Sequence, residues 1–274
     1  MSSPTRQEAD EVGEIYDEMS DLVDVYYGNI HLGYWADDDD PTPLRDALER
    51  MTDLVVDALE LAPGQHLLDV GCGVGEPAIR IAARSGVRIT GISNSAWHVE
   101  ETARRVTAAG VGGLVTARQA DAGALPFPNA TFDAVLALDS LPNAVDKGQW
   151  LREVGRVLRP GGRFALTDYT AEVPLTPADR EVIATHGIFD PPTAPALCDL
   201  VSDAGLVVEQ RRDWGARARR TYDEVLSLLH HRREAMADAY GSERMRAFED
   251  SLAPVLEVCR AKLGYLLVAG HRPG

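Results

Sequence analysis

The chain has 274 residues, 45% of them hydrophobic, so it is long enough to bury one large core in a single α/β domain. Its 43 Asp and Glu outnumber its 27 Lys and Arg, and the formal net charge of -16 argues against nucleic acid and anionic membrane surfaces as partners. Three cysteines without CxxC spacing indicate neither a disulfide framework nor a metal site, and no signal peptide or membrane-helix pattern is present, so we expect a soluble, cytoplasmic protein.

The apolar pattern along the chain predicts an amphipathic N-terminal helix followed by alternating helices and strands. The predicted helices are 8–27, 44–61, 76–85, 96–109, 147–158 and a long stretch over 221–262. The predicted strands are 66–70, 87–92, 114–119, 132–138, 162–168, 206–211 and 265–269. This alternation predicts a mostly parallel sheet with helices on both faces, whose ligand lies beyond the carboxyl ends of the strands.

The most informative motif is a run of three glycines directly after the first predicted strand, in His66-Leu-Leu-Asp-Val-Gly-Cys-Gly-Val-Gly75. Its GxGxG spacing differs from the GxGxxG that seats a dinucleotide pyrophosphate on a helix N-terminus, which argues against a nicotinamide dehydrogenase. S-adenosylmethionine carries no phosphate, and its ammonium group suits the carboxylate of Asp69, directly or through water. The alternative is a purely structural connection between strand and helix.

Five stretches in this order resemble class I S-adenosylmethionine-dependent methyltransferases, and the resemblance covers roughly residues 60–170 well. Within the class, the chain is similar to the actinobacterial natural-product group that includes the rebeccamycin sugar O-methyltransferase. The matching stretches are Tyr27-Gly-Asn-Ile-His-Leu-Gly-Tyr-Trp35, Leu68-Asp-Val-Gly-Cys-Gly-Val-Gly75, Thr90-Gly-Ile-Ser-Asn-Ser95, Asp121-Ala-Gly-Ala-Leu-Pro-Phe127 and Leu158-Arg-Pro-Gly-Gly162.

The resemblance implies a Rossmann-like α/β fold with a seven-stranded sheet, an antiparallel last strand, helices on both faces and a helical lid. It also implies S-adenosyl-L-methionine as the cofactor. We interpret residues 1–43 as an N-terminal lid segment. Residues 44–274 then form the methyltransferase domain, with substrate-cap insertions at about 171–200 and 215–262.

The resemblance further implies the residues that contact the donor. In the glycine loop and at the three following strand ends these are Asp69, Gly71, Cys72, Gly73, Gly75, Ser93, Asn94, Asp121, Ala122 and Leu138. His98 stands where the group tends to have Gln, and it fits a ribose contact or an exposed histidine at a helix start. Asp121 would accept from the adenine amine, although a loop Asp also caps turns. Tyr16, His31 and Tyr34 resemble an aromatic cover over the donor, and core packing is the alternative role.

Catalysis is the part of the resemblance that transfers least well. The resembled sugar methyltransferase has a paired His-His motif after the fourth strand, where this chain has Pro142 and Asn143. A hydroxyl acceptor benefits from a general base. Asp168 falls where the family places an acid beside the acceptor, so it is our leading candidate. Asp139 is a second candidate with a structural or donor-side alternative, and His186 would reach in from the first insertion.

These residues favour O-methylation of a hydroxyl on a small-molecule secondary metabolite by a monomer or homodimer. A shift to carbon or nitrogen acceptors, which need less base, stays open. So does a methyltransferase-fold protein that binds the donor and catalyses a non-methylating rearrangement. A non-catalytic binding module is a further alternative, against which the lid segments and the donor motifs argue.

Overall fold

The computed structural model describes residue 23 and residues 27–274. Nearly all of the predicted helix over 8–27, and with it Tyr16, lies outside the described residues. Seven strands form one sheet in the order β3-β2-β1-β4-β5-β7-β6. The strands are β1 (His66–Val70), β2 (Arg88–Ser93), β3 (Val115–Gln119), β4 (Phe132–Ala137), β5 (Leu158–Ala171), β6 (Val207–Asp213) and β7 (Leu263–His271).

The last strand, β7, is antiparallel to both of its neighbours, β5 and β6, whereas β1 to β5 pair in parallel. The predicted seven-stranded sheet with an antiparallel last strand is therefore confirmed. At β1 the strand order reverses, since β2 lies on one side of it and β4 on the other. Such a reversal opens a crevice beyond the carboxyl ends of the strands, where ligands of open α/β sheets bind.

Helices cover both faces of the sheet. They are α1 (Leu44–Asp57), α2 (Glu76–Ser85), α3 (Ala96–Ala108), α4 (Lys147–Val157), α5 (Pro177–Ala184), α6 (Ala194–Asp203), α7 (Gly215–Ala218), α8 (Arg220–Tyr240) and α9 (Ser242–Lys262). Alternation along β1 sends Leu67 into a core with α1, α2 and α3, and Leu68 into a core with α4 and α6. A third cluster packs Trp35 and Leu48 against α8 and α9.

The long helical stretch predicted over 221–262 is two helices rather than one. Gly241 separates α8 from α9 with φ 92° and ψ 135°, a conformation that glycine adopts readily and other residues rarely do. The prediction was wrong because an isolated glycine in a helical pattern does not by itself distinguish a helix end from a tolerated interior position. Across the described helices, none is long and apolar enough to span a membrane.

Gly270 in β7 provides a test of the sheet arrangement. A Cβ at this buried position would overlap the Val207 carbonyl oxygen of β6. We predict that Gly270→Ala lowers the free energy of unfolding by about 1 to 3 kcal/mol, the usual cost of overpacking. Urea unfolding measures it. The matched control is Gly113→Ala, because a Cβ there would have no atom within 4 Å. Equal stabilities of the two variants would contradict the strand packing.

Candidate functional site

The loop after β1 is shaped by its three glycines. Gly71, Gly73 and Gly75 have φ values of 77°, 52° and 84°, in the left-handed region that favours glycine. A Cβ on Gly71 would overlap the Ser140 side chain, and a Cβ on Gly75 would lie 2.7 Å from Thr102 Cγ2. A Cβ on Gly73 would meet nothing closer than 3.8 Å. Two glycines are thus required by close packing, and Gly73 leaves bare backbone beside open space.

A cavity of about 520 Å³ lies against this loop, at the carboxyl edge where the strand order reverses. We call it the glycine-loop cavity. Its volume is typical of small-molecule sites. The structure brings together in its wall the predicted residues Gly71, Gly73, Ser93, Asn94, His98, Asp121, Ala122, Leu138 and Asp139. Residues from four separate strand ends therefore converge on one site.

Asp69, Cys72 and Gly75, which were also predicted to contact the donor, are not among the residues that line the glycine-loop cavity. Within the described part of the chain, Asp69 Oδ2 is buried and has no hydrogen-bond partner. Burial raises the pKa of the Asp69 carboxyl to about 7. Cys72 packs its Sγ against Gly91, where a Cβ would lie only 2.7 Å from the sulfur, and burial raises the pKa of its thiol.

His98 is held in the cavity wall by the start of α3. Its backbone N–H donates to Ser95 Oγ at 3.0 Å, and its Nδ1 lies 3.1 Å from Ser93 Oγ. The side chain is buried, with 3% of its surface exposed, so the alternative of a solvated histidine at a helix start is wrong. Ser93 and His98 together present polar atoms at the end of β2, where the resemblance implies a ribose contact.

Asp121 caps a turn and also lines the glycine-loop cavity. Its Oδ1 accepts from Gly123 N at 2.7 Å and so caps the short 3₁₀ turn Ala122–Ala124. The same residue lines the glycine-loop cavity. Sequence reasoning missed the opposite wall, formed by Gln149 and Trp150 in the first turns of α4. Gln149 Nε2 donates to Gly123 O at 2.9 Å, which joins α4 to the Asp121 turn.

Asp139 also lines the cavity, yet its carboxylate is engaged by hydrogen-bond donors. Thr167 Oγ1 donates to Oδ1 at 2.6 Å, the Tyr265 hydroxyl donates to the same oxygen, and Leu32 N donates to Oδ2 at 3.0 Å. Burial raises the pKa of Asp139, and neighbouring His31 opposes that shift. Asp139 therefore fastens the chain segment around Leu32 to strands β5 and β7.

His31 and Tyr34, predicted as parts of a cover, make packing contacts. His31 is buried, with Nδ1 2.9 Å from Leu32 O and Nε2 3.1 Å from Thr52 Oγ1. Burial lowers its pKa. The Tyr34 ring contacts Trp214 edge-on, with centroids 5.6 Å apart. Neither side chain lines the glycine-loop cavity, so the described contacts fit the packing alternative for both.

Asp168 is buried in an ion pair on the α4 side of the sheet. Lys147 Nζ lies 2.9 Å from its Oδ2 and 3.2 Å from its Oδ1, and also donates to Leu141 O at 2.8 Å. Burial raises the pKa of Asp168 to about 6, with Lys147 opposing the shift. Asp168 does not line the glycine-loop cavity. Our leading candidate base is therefore engaged in an ion pair with Lys147.

The two residues that replace the paired histidines connect the cavity to the first insertion. Asn143 lines the glycine-loop cavity and donates from Nδ2 to Gly187 O at 2.7 Å. Pro142 O accepts from Phe189 N at 2.9 Å. His186 is therefore adjacent in sequence to a residue that touches the cavity wall. It is half-buried, and burial lowers its pKa, which favours the neutral imidazole.

Comparison with known proteins agrees with this geometry. A family described as a methyltransferase domain matches residues 68–166. Over the full length of both chains, the sequence is 36% identical to the 27-O-demethylrifamycin SV methyltransferase of Amycolatopsis mediterranei (strain S699). It is 34% identical to the O-methyltransferase resE of Aspergillus sclerotiorum, over 96% of this chain and 97% of the relative.

The fold is also similar to that of an enzyme that is named for a cyclisation rather than a methyl transfer. The crystal structure of the [4+2]-cyclase SpnF superposes with a TM-score of 0.85 at 30% identity. The match covers 100% of this chain and 98% of the other. These relatives are named for different reactions, so the similarity supports the family and the fold more directly than the reaction.

Asp69 generates a test of the site. The ammonium of S-adenosylhomocysteine, the demethylated form of the donor, favours an ionised carboxylate beneath the loop. We predict that Asp69→Asn weakens its binding at least tenfold in calorimetry. In the unsubstituted protein, affinity should fall as pH decreases below about 7, since protons then compete at Asp69. Asp57→Asn is the control on an exposed acid. Affinity that is unchanged by both substitution and pH would contradict this assignment.

Proposed function

Because the chain belongs to the S-adenosylmethionine-dependent methyltransferases, we propose that it methylates a hydroxyl group of a small-molecule secondary metabolite. The observation that carries this proposal is the 36% identity, over the whole of both chains, to a methyltransferase named for an O-demethylated rifamycin. The match spans the whole chain and so includes both insertions that we interpret as substrate caps. A match limited to the methyltransferase domain at residues 68–166 would support binding of the donor but would say nothing about the acceptor.

The residues present fit S-adenosylmethionine. The bare backbone at Gly73 suits its methionine portion, and the buried Asp69 oxygen suits its ammonium group, directly or through one water. Ser93 and His98 suit its ribose hydroxyls, and the Asp121 turn suits its adenine. When bound, the donor supplies a methyl group activated by a sulfonium. The chain's own contribution is alignment of the acceptor and removal of its proton.

We assign the proton-accepting role to His186 rather than to either aspartate. Asp139 accepts hydrogen bonds at both oxygens, and Asp168 is paired with Lys147. The hydrogen bonds around His186 favour the tautomer that a base needs. Thr185 Oγ1 donates its single proton to Val182 O at 2.7 Å, so at 3.0 Å it accepts from His186 Nδ1. With the proton on Nδ1, the basic lone pair of the neutral ring lies on Nε2.

A non-methylating rearrangement is the second candidate function. The specific observation in its favour is the 30% identity to the [4+2]-cyclase SpnF over the whole chain. Replacement of the paired histidines by Pro142 and Asn143 is compatible with this reaction, since a rearrangement needs no base at that position. The two candidates share the donor cavity and differ in whether the methyl group leaves the donor.

The partners and location follow from the composition of the chain. The net charge of -16 disfavours nucleic acid and anionic membranes, so we propose a small molecule as the sole substrate partner besides the donor. We propose the cytoplasm as the location, and a monomer or homodimer as the working unit. Sedimentation velocity distinguishes the two oligomeric states.

Transfer of an isotopically labelled methyl group tests the function. The protein is incubated with methyl-labelled S-adenosylmethionine and a panel of hydroxylated polyketides and glycosides that includes 27-O-demethylrifamycin SV. We expect a labelled O-methyl product, identified by mass spectrometry, and stoichiometric S-adenosylhomocysteine. An isomerised product without label would support the rearrangement instead. Donor binding without any product across the panel would contradict both.

His186→Gln tests the assigned base. We predict that it lowers kcat by about 10²- to 10⁴-fold, the usual contribution of a general base. Binding of S-adenosylhomocysteine should not change, because His186 lies outside the glycine-loop cavity. His230→Gln, at an exposed histidine of α8, is the matched control. The activity of a neutral base falls as pH decreases through its pKa, so we expect this fall in the unsubstituted protein and in His230→Gln but not in His186→Gln. The same pH–rate profile in all three proteins would refute the assignment.

A further inference from the structure

A second cavity lies next to the glycine-loop cavity, between the start of α4 and the first insertion. We call it the insertion cavity. It has a volume of about 600 Å³ and shares Val145 and Asp146 with the glycine-loop cavity. Apolar side chains of the insertion form much of its wall: Val173, Pro174, Leu175, Phe189, Pro191 and Pro192. The two cavities are therefore neighbours that meet along one short segment.

Apolar side chains in the wall of the insertion cavity are exposed to solvent. Among the described residues, the exposed large hydrophobic side chains are Val145, Val173, Val207 and Leu226. Val145 and Val173 line the insertion cavity and expose 46% and 45% of their surface. Exposed apolar side chains that line a concave site mark a surface that binds something apolar.

The charged groups around the insertion cavity are largely compensated. Lys147 is paired with Asp168, and Arg180 is paired with Asp190. Glu172 lies 3.2 Å from the guanidinium of Arg219. Asp146, the remaining charged residue of the wall, accepts from Gln149 N and lies 3.9 Å from the Arg152 guanidinium. Because each of these charges has a partner, the cavity favours a neutral ligand over an anion or a cation.

The backbone of the insertion links the two cavities directly. Phe189 lines the insertion cavity, and its N–H donates to Pro142 O in the turn after β4. Next to Pro142, Asn143 lines the glycine-loop cavity and donates to Gly187 O. Only the turn after β4, which contains Pro142 and Asn143, thus separates a ligand in the insertion cavity from the glycine-loop cavity.

We propose that the insertion cavity binds the apolar body of a neutral acceptor, whose hydroxyl group extends past Val145 towards the glycine-loop cavity. This inference rests on the proposed methylation of a small molecule and specifies the class of that molecule as large, neutral and mainly apolar. Binding of the remote part of a substrate orients its reacting group, which accounts for a cavity removed from the chemistry.

Binding of the neutral apolar dye Nile red tests the proposal without turnover. Fluorescence titrations are made in saturating S-adenosylhomocysteine, which keeps the dye out of the glycine-loop cavity. We expect saturable binding to the unsubstituted protein and at least tenfold weaker binding to Val173→Asp, because a carboxylate would then face the apolar ligand. Val207→Asp is the matched control, since Val207 is also an exposed valine and lies in β6 away from the cavity.

The control should bind the dye within twofold of the unsubstituted protein, and both variants should keep their affinity for S-adenosylhomocysteine. Absence of saturable dye binding, or equal effects of the two substitutions, would overturn the proposal. A dimer of the unsubstituted protein that Val173→Asp dissociates in sedimentation velocity would also overturn it, by assigning this surface to a second copy of the chain. These outcomes are independent of methyl transfer, so failure here leaves the labelled-methyl experiment to decide the reaction separately.

Discussion

The donor site depends on the close approach of two loops, one after β1 and the other after β4. Ser140 Oγ donates to the Val70 carbonyl oxygen at 2.5 Å, and this approach leaves no room for a Cβ on Gly71. Hydrogen bonding of a strand-end carbonyl by a neighbouring loop fixes the width of the crevice at the reversal of strand order. The preceding residue, Asp139, fastens the Leu32 segment to the same turn. The turn after β4 therefore forms part of the cavity wall and also holds the Leu32 segment.

Three buried aspartates near this edge differ in what neutralises them, and that difference assigns their roles. Burial raises the pKa of each one. Asp168 has the Lys147 ammonium, and Asp139 has hydroxyl and amide donors. Asp69 Oδ2 has no hydrogen-bond partner among the residues described. Because an unpaired buried carboxylate is costly, we propose that Asp69 is retained next to the glycine loop to bind a cationic group of the ligand.

Local patterns were sufficient to predict the strands and the donor loop. The predicted strand 66–70 and helix 76–85 match β1 and α2 residue for residue, because the glycine run follows the strand directly and Gly75 and Gly86 flank the helix. His98 and Asp121 were assigned to the cavity from motif position alone, and both line it. Their hydrogen bonds are local, since Asp121 caps Gly123 N and His98 contacts Ser93 and Ser95. The sequence offered the cap at Asp121 as an alternative role.

Contacts between distant parts of the chain account for what the sequence did not reveal. The pairing of Asp168 with Lys147 joins β5 to α4, and no local pattern indicates that these side chains meet. The position of Trp150 in the cavity wall was not predicted, because the periodicity of a helix shows which residues share a face but not what that face contacts. The break at Gly241 was missed for the opposite reason: backbone conformation, rather than packing, ends the helix there.

Calorimetric binding of S-adenosylhomocysteine to Gly71→Ala and Gly64→Ala tests the central claim most directly. Both glycines have positive φ, 77° and 85°, so both substitutions strain the backbone in a similar way. A Cβ on Gly64 would have no atom within 4 Å, whereas a Cβ on Gly71 would overlap Ser140 and force the two loops apart. The account predicts that Gly64→Ala keeps its affinity and that Gly71→Ala loses binding. Retained affinity in Gly71→Ala would contradict it.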